Sequence, residues 1–426
     1  MAARRRAGPP SGMELFPIQL LILVVIMNRY VLGGFLKYLR GSRFDETTDD
    51  YEPTVAIVIP LFNEGRGIYD TILSLLEQDY PKEKLQIVVV DDCSADDSYQ
   101  WACKAAEGRP NVKVLRNPTN LGKRKGINRA VRSTDAEIIV SVDSDVIVDR
   151  GAVRQLVRRF VSPKIAAVGG RTYVSNFDEN WLTRMLEVKF YFSQEWLKDI
   201  ERCFRSVMCL SGCLTAYRRQ VLIDLEPILE DRNVLGVPIR YGEDRFLTRQ
   251  IVKAGWQTCF TTDAFCLTAA PSRISNYFSQ QLRWRRSNLI DLMCGMSHGW
   301  RLHPVVALHY FSLFALLIAY PVKILHAVAN DEFFDVLVLH AAFVAVLGVI
   351  YRFGTRHLPE ERRVPAAAFL PMVVLMPVTY LLFTPLALLT LDSGSWETRG
   401  SAASVTGIEP KDGEDEDERR ARARPA

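Results

Sequence analysis

The pattern of apolar and polar positions divides the chain into a central part of mixed strands and helices and long apolar segments at both ends. In the centre, short continuous apolar runs alternate with stretches of helical spacing, which is typical of a mostly parallel sheet with helices on both faces. The predicted strands are 55–59, 85–90, 112–115 and 137–142, and the predicted helical segments between them are 68–77, 98–106 and 127–131. Pro60 is expected to end the first strand. The sequence therefore predicts a Rossmann-like nucleotide-binding unit over residues 50–270, and without G-x-G-x-x-G a dinucleotide ligand is not expected.

Three further helices are predicted after this alternating region. Residues 181–200 form a long aromatic helix, and a second helix begins within Tyr241-Gly242-Glu243-Asp244-Arg245 and runs to about residue 253. Residues 277–289 form an amphipathic, strongly basic helix. A basic helix with aromatic residues suits a membrane surface, so residues 271–300 are expected to be interfacial, with an ordinary solvated face as the alternative.

Four apolar segments are long enough to cross a bilayer at ~1.5 Å rise per residue. They cover residues 15–36, 305–328, 333–351 and 365–391, and the first follows a short basic tail, residues 1–14. A cleaved signal peptide is the alternative for the first segment, but no small-x-small cleavage site follows it. The second and third segments are joined by a tight link and predict a helical hairpin.

The basic loop 352–363 is separated from the central unit by two crossings, so both are expected on the cytoplasmic side of the plasma membrane. A crossing by 365–391 would place residues 392–426, which include a charged tail expected to be disordered, on the other side. We favour a segment broken at Pro377 and Pro385 whose second half lies in the interface, because about 27 residues are too few for two crossings.

Composition excludes several classes of function. The net charge is only +4, and there is neither zinc-finger spacing nor a basic stripe interleaved with aromatic residues, so nucleic acid is not an expected partner. The eight cysteines include no C-x-x-C pair, which favours reduced thiols facing a reducing compartment. Oligomeric state, a homo-oligomer included, stays open.

Acidic residues follow three of the predicted strands. Asp143 and Asp145 follow the strand 137–142, and two carboxylates at such a strand end can share one hard divalent cation with substrate phosphates. Asp92 follows the second strand, where it can accept hydrogen bonds from a base or a ribose hydroxyl, and Asn63 and Glu64 lie on the same rim after the first strand. Each string alone is also compatible with a surface turn.

Two further positions complete a candidate transferase site. Lys123 and Arg124 enter a helix after a loop with Gly122, a position that suits phosphate groups. Asp244 begins another helix and could deprotonate a sugar hydroxyl as a general base, with a helix N-terminal acid as the alternative. Together with the acidic residues after the strands, and in their order along the chain, these positions indicate inverting transfer of a sugar from a nucleotide diphosphate.

The chain resembles the processive membrane β-glycosyltransferases, which include hyaluronan synthases, rhizobial chitin-oligosaccharide synthases and, more distantly, cellulose synthases. The resemblance covers roughly residues 55–399, and the Q-x-x-R-W string after G-E-D is its most specific part. The matching strings are Ile59-Pro60-Leu61-Phe62-Asn63-Glu64, Val90-Asp91-Asp92-Cys93-Ser94, Asn120-Leu121-Gly122-Lys123-Arg124-Lys125, Asp143-Ser144-Asp145, Ser211-Gly212-Cys213, Gly242-Glu243-Asp244-Arg245, Gln280-Gln281-Leu282-Arg283-Trp284 and Trp396-Glu397-Thr398-Arg399.

The resemblance implies a GT-A-like α/β fold that uses a UDP-sugar and Mg²⁺ or Mn²⁺, with helices forming an export channel for a growing polysaccharide. It implies that Asp92 contacts the uridine, that Asn63, Glu64 and Lys123 belong to the nucleotide site, and that Asp143 and Asp145 hold the metal and diphosphate. It also implies that Asp244 is the base. The diphosphate and acceptor residues would be Gly212, Cys213, Gln280, Arg283 and Trp284, and the gating residues Trp396, Thr398 and Arg399.

Two departures from the family pattern stand out. Glu243 replaces an aspartate that the family often has, and Glu397 replaces a glycine of the closing segment. The single N-terminal apolar segment is closer to the rhizobial enzymes than to many hyaluronan synthases.

The expected activity is processive transfer of N-acetylglucosamine, alone or alternating with glucuronate, in the manner of a hyaluronan synthase. The alternatives are a chitin-oligosaccharide or poly-N-acetylglucosamine synthase, a non-processive transferase acting on a lipid acceptor, and a membrane transport or scaffold protein with an inactive nucleotide domain.

Overall fold

A computed structural model of the chain describes residues 16–40, 46–230, 232–234, 236–239, 241–297, 299–356, 358 and 360–393. The predicted basic tail 1–14, the gating residues Trp396, Thr398 and Arg399, and the charged tail lie outside the described residues.

A mixed, mostly parallel sheet of eight strands forms the centre of the described structure. The strands of the described structure, including two outside this sheet, are β1 (Val55–Leu61), β2 (Leu85–Asp91), β3 (Val112–Arg116), β4 (Ile138–Val142), β5 (Val146–Val148), β6 (Ile165–Val174), β7 (Leu214–Arg218), β8 (Asn233–Val234), β9 (Val237–Pro238) and β10 (Gln257–Thr268). The order in the large sheet is β3-β2-β1-β4-β7-β6-β10-β5, and β8 pairs with β9 in a separate small hairpin. Strands β1 to β4 are parallel, whereas β7 runs antiparallel to both β4 and β6.

The helices cover both faces of this sheet and form the apolar ends of the chain. The α-helices are α1 (Phe16–Ile26), α2 (Gly33–Arg40), α3 (Gly67–Leu76), α4 (Ser98–Ala106), α5 (Lys123–Arg132), α6 (Ala152–Val157), α7 (Trp181–Phe190), α8 (Leu197–Arg202), α9 (Arg219–Glu230), α10 (Glu243–Lys253), α11 (Ile274–Gly295), α12 (Pro304–Ala329), α13 (Phe333–Gly354) and α14 (Leu370–Leu389). One π-helical segment, Met27–Leu32, joins α1 to α2, and another, Tyr191–Trp196, joins α7 to α8.

The continuous apolar runs form strands because both of their faces are covered. Ile57 and Ile59 of β1 pack in one core with Ile72 of α3, whereas Val58 packs on the opposite face with Ile127 of α5. Burial on both faces removes the polar alternation that a half-exposed strand would show. The prediction of a mostly parallel sheet with helices on both faces is confirmed.

The prediction that Pro60 ends the first strand is wrong. Strand β1 continues through Pro60 to Leu61, and its pairing with β2 covers Pro60↔Val90 and Leu61↔Asp91. The pairing of β1 with β4 ends at Val58. A residue without an N–H is tolerated here because the strand has a partner on only one side at this point.

The last apolar segment differs from the expectation of a break at its prolines. Helix α14 is continuous, with Pro377 and Pro385 inside it. Its neighbours α11 and α12 pack along it, which supports the helix where the prolines remove backbone hydrogen bonds.

Helix α11 has no solvated face along most of its length. None of residues 280–292 is exposed, because α11 lies against α10, α12 and α14. Two of its arginines are used inside the protein: Arg285 lies 4.1 Å from the centre of the Tyr380 ring, and Arg286 Nε donates to Thr390 Oγ1 at 3.0 Å. The alternative of an ordinary solvated face is therefore wrong, and an interfacial location stays a prediction.

Four described helical segments are long and apolar enough to cross a membrane. They are Leu20–Leu39, Pro304–Ala329, Phe333–Gly354 and Ala366–Leu389. The first three have one end against the central unit: Lys37 forms an ion pair with Asp199 at 2.5 Å, His303 stacks on Phe204, and Tyr351 contacts Tyr191.

Candidate active site

The acidic residues predicted from the strand ends meet at one edge of the sheet. Strands β1, β2 and β4 are neighbours and parallel, so Asn63, Glu64, Asp92 and Asp143 all follow carboxyl ends at the same edge. The loops after β1 and β4 are linked directly, because Ser144 Oγ donates to Glu64 Oε2 at 3.2 Å.

The loops after β1 and β2 are also joined. Asn63 has a left-handed backbone conformation with φ of 48°, its N–H donates to Ser94 Oγ, and its Oδ1 accepts from the Ala95 N–H. An unusual backbone conformation of a non-glycine residue is kept only where its surroundings fix it. This rim of the site is therefore rigid around Asn63.

The antiparallel strand β7 brings a further segment to this edge. Val142 of β4 is paired with Leu214 of β7, so the residues just before β7 lie beside the residues just after β4. Gly212 is the closest of these: a Cβ atom at this position would lie 3.6 Å from both carboxylate oxygens of Asp143. Gly212 and Cys213 thus lie at the predicted metal dyad, as the resemblance implies for an acceptor segment.

Asp92 organises the loop before α5. It is 2 % exposed, its Oδ1 accepts from Asn117 Nδ2 and the Leu121 N–H, both at 2.8 Å, and its Oδ2 accepts from the Gly122 N–H at 2.7 Å. These bonds fix the loop that carries Lys123. A contact between Asp92 and the uridine stays a prediction.

Lys123 joins the metal dyad to the start of α10. Its Nζ lies 2.7 Å from Asp143 Oδ1 and 2.9 Å from Glu243 Oε1. Burial works against the charge of this ammonium, but the carboxylates of Asp143 and Glu243 outweigh it and raise the pKa of Lys123. Lys123 is therefore favoured in its protonated form, close to where a diphosphate is expected.

Asp244 lies next to Glu243 in the first turn of α10. Its Oδ1 accepts from the Arg245 N–H at 2.8 Å, and its carbonyl accepts from Thr248 Oγ1, which itself accepts from the Leu210 N–H. Burial, followed by the negative charge of Glu243, raises the pKa of Asp244 above the usual range. A carboxylate with a raised pKa is a stronger base, which suits a general base.

Helix α11 lies beside the start of α10. A Cβ atom at Gly242, whose φ is +70°, would lie 2.1 Å from Ser287 Oγ, so only glycine allows this approach. Trp284 is one turn before Ser287 and contacts Phe190 of α7, with 6.0 Å between ring centres. The Q-x-x-R-W string, with Gln280 and Arg283, is therefore carried on a helix that packs directly on the helix of the predicted base.

Asp143 and Asp145 have the chemistry that a hard divalent cation requires. Both carry carboxylate oxygens, Asp145 is exposed, and Asp143 already pairs with the cation of Lys123. Magnesium is commonly held by one or two carboxylates together with substrate phosphates. No cluster of three metal-ligating side chains occurs in the described part of the chain.

Several residues of the site have no role in the sequence-based prediction. Glu243 appears there only as a departure from a motif, and its distance to Lys123 cannot be read from residues 120 positions apart. Lys198 of α8 is buried, which lowers its pKa, and its Nζ donates to Gln194 Oε1 within electrostatic reach of Asp244. The only sequence signal for Lys198 is a lysine in an otherwise aromatic helix. No disulfide is formed among the cysteines of the described residues.

The fold is that of a GT-A-like glycosyltransferase. The chain belongs to glycosyltransferase family 2, because the sequence model of the Glycosyltransferase like family 2 matches residues 53–287. The GT-A-like fold class and the expectation of a glycosyltransferase are confirmed.

Curated relatives cover most of the chain. This chain is 30% identical over 364 residues to an N-acetylglucosaminyltransferase of Rhizobium meliloti (strain 1021), with 83% of each chain covered. It is also 30% identical over 360 residues to an N-acetylglucosaminyltransferase of Mesorhizobium japonicum, again with 83% of each chain covered.

Among solved structures, the chain is similar to the mannosyltransferase PcManGT from Pyrobaculum calidifontis in complex with GDP-Man and Mn²⁺. The TM-score is 0.59 at 20% sequence identity, and the match covers 88% of this chain and 99% of that one. At this identity the similarity concerns the fold.

Proposed function

We propose that this protein transfers N-acetylglucosamine from UDP-N-acetylglucosamine, with inversion, to the end of a growing β-linked N-acetylglucosamine chain. The observation that supports the proposal is the Asp143–Lys123–Glu243 ion-pair bridge, because Asp143 belongs to the predicted metal dyad and Glu243 directly precedes Asp244, the predicted base. The two relatives described above are N-acetylglucosaminyltransferases, which supports the choice of sugar.

The proposed reaction follows from the positions of three groups. The acceptor hydroxyl attacks the anomeric carbon of the donor, the Asp244 carboxylate takes the hydroxyl proton, and the bond from the anomeric carbon to UDP breaks on the opposite face. A divalent cation at Asp143 and Asp145 would neutralise charge on the leaving diphosphate. The Lys123 ammonium supplies further positive charge there, where a fixed cation stabilises developing negative charge.

The acceptor would lie against the side of α11 that carries Trp284, near the start of α10. Trp284 presents an aromatic ring, backed by Phe190, beside the start of the helix that carries Asp244. Gln280 lies one turn before Trp284 on the same helix, and Arg283 directly precedes Trp284. A flat aromatic surface with polar groups around it suits a sugar ring, which has both an apolar face and hydroxyl groups.

Sugar incorporation by membranes that contain the protein tests this function. With Mg²⁺ or Mn²⁺ and labelled UDP-N-acetylglucosamine alone, we expect a chitinase-sensitive product longer than two sugars, formed processively. A polymer made only when UDP-glucuronate is also present would identify a hyaluronan-type synthase instead. A single sugar on a lipid would identify a non-processive transferase, and no consumption of either donor would refute the proposed donor.

We also propose a multi-pass plasma-membrane topology with the catalytic unit in the cytoplasm. In this topology α14 begins and ends on the catalytic side. Before its start, Arg362 lies 5.4 Å from the centre of the Phe177 ring, and just after its end, Tyr241 Oη donates to the Leu391 carbonyl at 2.8 Å.

Cysteine labelling in sealed right-side-out vesicles checks this topology. Asp331→Cys, in the exposed link between α12 and α13, is expected to react with a membrane-impermeant maleimide, whereas the exposed position Ser393→Cys should react only after the vesicles are opened. The unaltered chain is the control, because its eight cysteines are buried or partly buried. Labelling of Ser393→Cys in sealed vesicles would show that α14 crosses the membrane.

A further inference from the structure

Glu243 is the acidic residue next to the proposed base, and the mechanism above gives it no task. It is the first residue of α10, its side chain is 15% exposed, and its Oε1 lies 2.9 Å from Lys123 Nζ. The same ammonium lies 2.7 Å from Asp143 Oδ1. Lys123 is therefore held between two carboxylates that belong to separate elements of the fold.

The proposed function makes two demands on Asp143. Its carboxylate pairs with Lys123 in the structure, and it is also expected to face a divalent cation during the reaction. The ammonium and the divalent cation repel each other and compete for the same carboxylate. When the divalent cation takes Asp143 before the donor is bound, Glu243 can still hold the ammonium where the diphosphate is expected.

We propose that Glu243 is a positioning residue that retains the Lys123 ammonium at the diphosphate when Asp143 turns to the divalent cation. This inference rests on the proposed function. Glu243 thereby lowers the competition of Lys123 with the cation at Asp143, and it keeps Lys123 available to the donor.

The surroundings restrict where Lys123 can move. Its backbone follows Gly122, whose N–H is fixed by Asp92, and a Cβ atom at Gly212 would lie 3.3 Å from its Nζ. The ammonium therefore lies close to Gly212, 2.7 Å from the Asp143 carboxylate and 2.9 Å from the Glu243 carboxylate.

The length of the Glu243 side chain matters for this role. An aspartate at this position would be one methylene shorter, which withdraws the carboxylate by about 1.5 Å, the length of one carbon–carbon bond. The pair with Lys123 would then exceed the distance of a direct hydrogen bond. This gives a physical reason for glutamate where related enzymes often have aspartate.

The experiment measures Mn²⁺ binding by electron paramagnetic resonance and UDP binding by calorimetry on the purified full chain, so that neither readout depends on turnover. Without UDP, Glu243→Gln is expected to weaken Mn²⁺ binding by about 5- to 10-fold, because Lys123 then depends more on Asp143. Lys123→Met is expected to tighten Mn²⁺ binding by a similar factor. With Mn²⁺ present, both variants should bind UDP about tenfold more weakly.

The double variant separates the proposed role from a simple charge effect. In the Lys123→Met background, Glu243→Gln should leave Mn²⁺ binding unchanged, because there is no ammonium left to hold. An equal weakening in both backgrounds would mean that Glu243 acts only through its own charge on the cation, and would overturn the proposal. Glu243→Asp should resemble Glu243→Gln.

Glu226→Gln is the matched control, because Glu226 pairs with Arg132 at the other end of α5. It should bind Mn²⁺ and UDP as the unaltered chain does. If Glu226→Gln weakens Mn²⁺ binding as much as Glu243→Gln does, the effect is general anchoring of α5 and the proposal fails. The proposal also fails for this reason if Lys123→Met weakens Mn²⁺ binding. If the unaltered chain binds no UDP with Mn²⁺, the proposed function itself fails, whereas normal binding with no effect of Glu243→Gln refutes only the present inference.

Discussion

Asp244→Asn is expected to lower the rate of sugar transfer by about 10²- to 10⁴-fold, the usual contribution of a positioned general base. Asparagine has nearly the same shape as aspartate but cannot take the proton of the acceptor hydroxyl. Its Oδ1 can still accept from the Arg245 N–H, and the bond from Thr248 Oγ1 reaches the backbone carbonyl, so the start of α10 should stay folded. The measurement is release of UDP from UDP-N-acetylglucosamine with an acceptor present.

Two comparisons make this result specific to the base. UDP binding with Mn²⁺ should change less than twofold in Asp244→Asn, because Asp244 is not among the groups that hold the diphosphate. Asp224→Asn, the same change at an exposed position of α9, should leave the rate unaltered. Transfer by Asp244→Asn within tenfold of the original rate would assign the proton transfer to another group.

The first half of the sheet could be predicted because each of its strands corresponds to a local pattern in the sequence. Strands β1, β2 and β4 are completely or almost completely buried, so each appears in the sequence as a mostly apolar run, broken only by Gln86 in β2 and Ser141 in β4, with polar residues at or after its end. Parallel strands place those polar ends at one edge. The positions of Asn63, Asp92 and Asp143 at that edge follow from this rule alone.

The second half of the site depends on contacts between distant parts of the chain. Strand β7 is inserted antiparallel between β4 and β6, and this pairing decides that Gly212 lies against Asp143. No local pattern around Gly212 contains that information, because the register is set by the neighbouring strands. The same holds for the ion pair of Lys123 with Glu243, which joins the starts of two helices.

The path of α14 could not be predicted for a different reason. Its apolar composition and length fit a membrane crossing, while its two prolines suggest an interruption. These two features favour different structures. The packing of α11 and α12 along α14 keeps the helix continuous, and this packing is not visible in the sequence. Contacts such as Tyr241 with Leu391, 150 positions apart, determine where the helix ends.

Asp291→Asn is expected to reduce the free energy of unfolding by about 3–5 kcal/mol, the usual cost of removing one partner of a buried ion pair. Asp291 Oδ1 lies 2.8 Å from Arg249 Nε, and the two side chains are only 4% and 7% exposed. The charges of Arg245 and Arg232 also act on this carboxylate. Without its negative charge, buried arginines of α10 lose their compensating anion. Chemical unfolding of the purified chain in detergent measures the loss.

Substitution of both partners distinguishes an uncompensated charge from lost packing. Asp291→Leu combined with Arg249→Met should recover most of the loss, because an apolar replacement of a buried pair is often nearly neutral. Glu52→Gln, which breaks the surface pair with Lys84 whose side chains are each 37% exposed, should cost less than about 1 kcal/mol. A loss that the double variant does not recover would contradict the electrostatic explanation.

The same ion pair connects stability to the arrangement of the active site. Arg249 is on the helix that begins with Glu243 and Asp244, and Asp291 is on the helix that carries Trp284, so their contact fixes the two helices against each other. The Asp291 carbonyl also accepts from Tyr310 Oη, which ties α12 to the same point. In the double variant, stability should return, but the KM for the acceptor should be higher than in the unaltered chain. Apolar packing restores the fold without restoring the exact register between α10, which carries the predicted base, and α11, which carries Trp284.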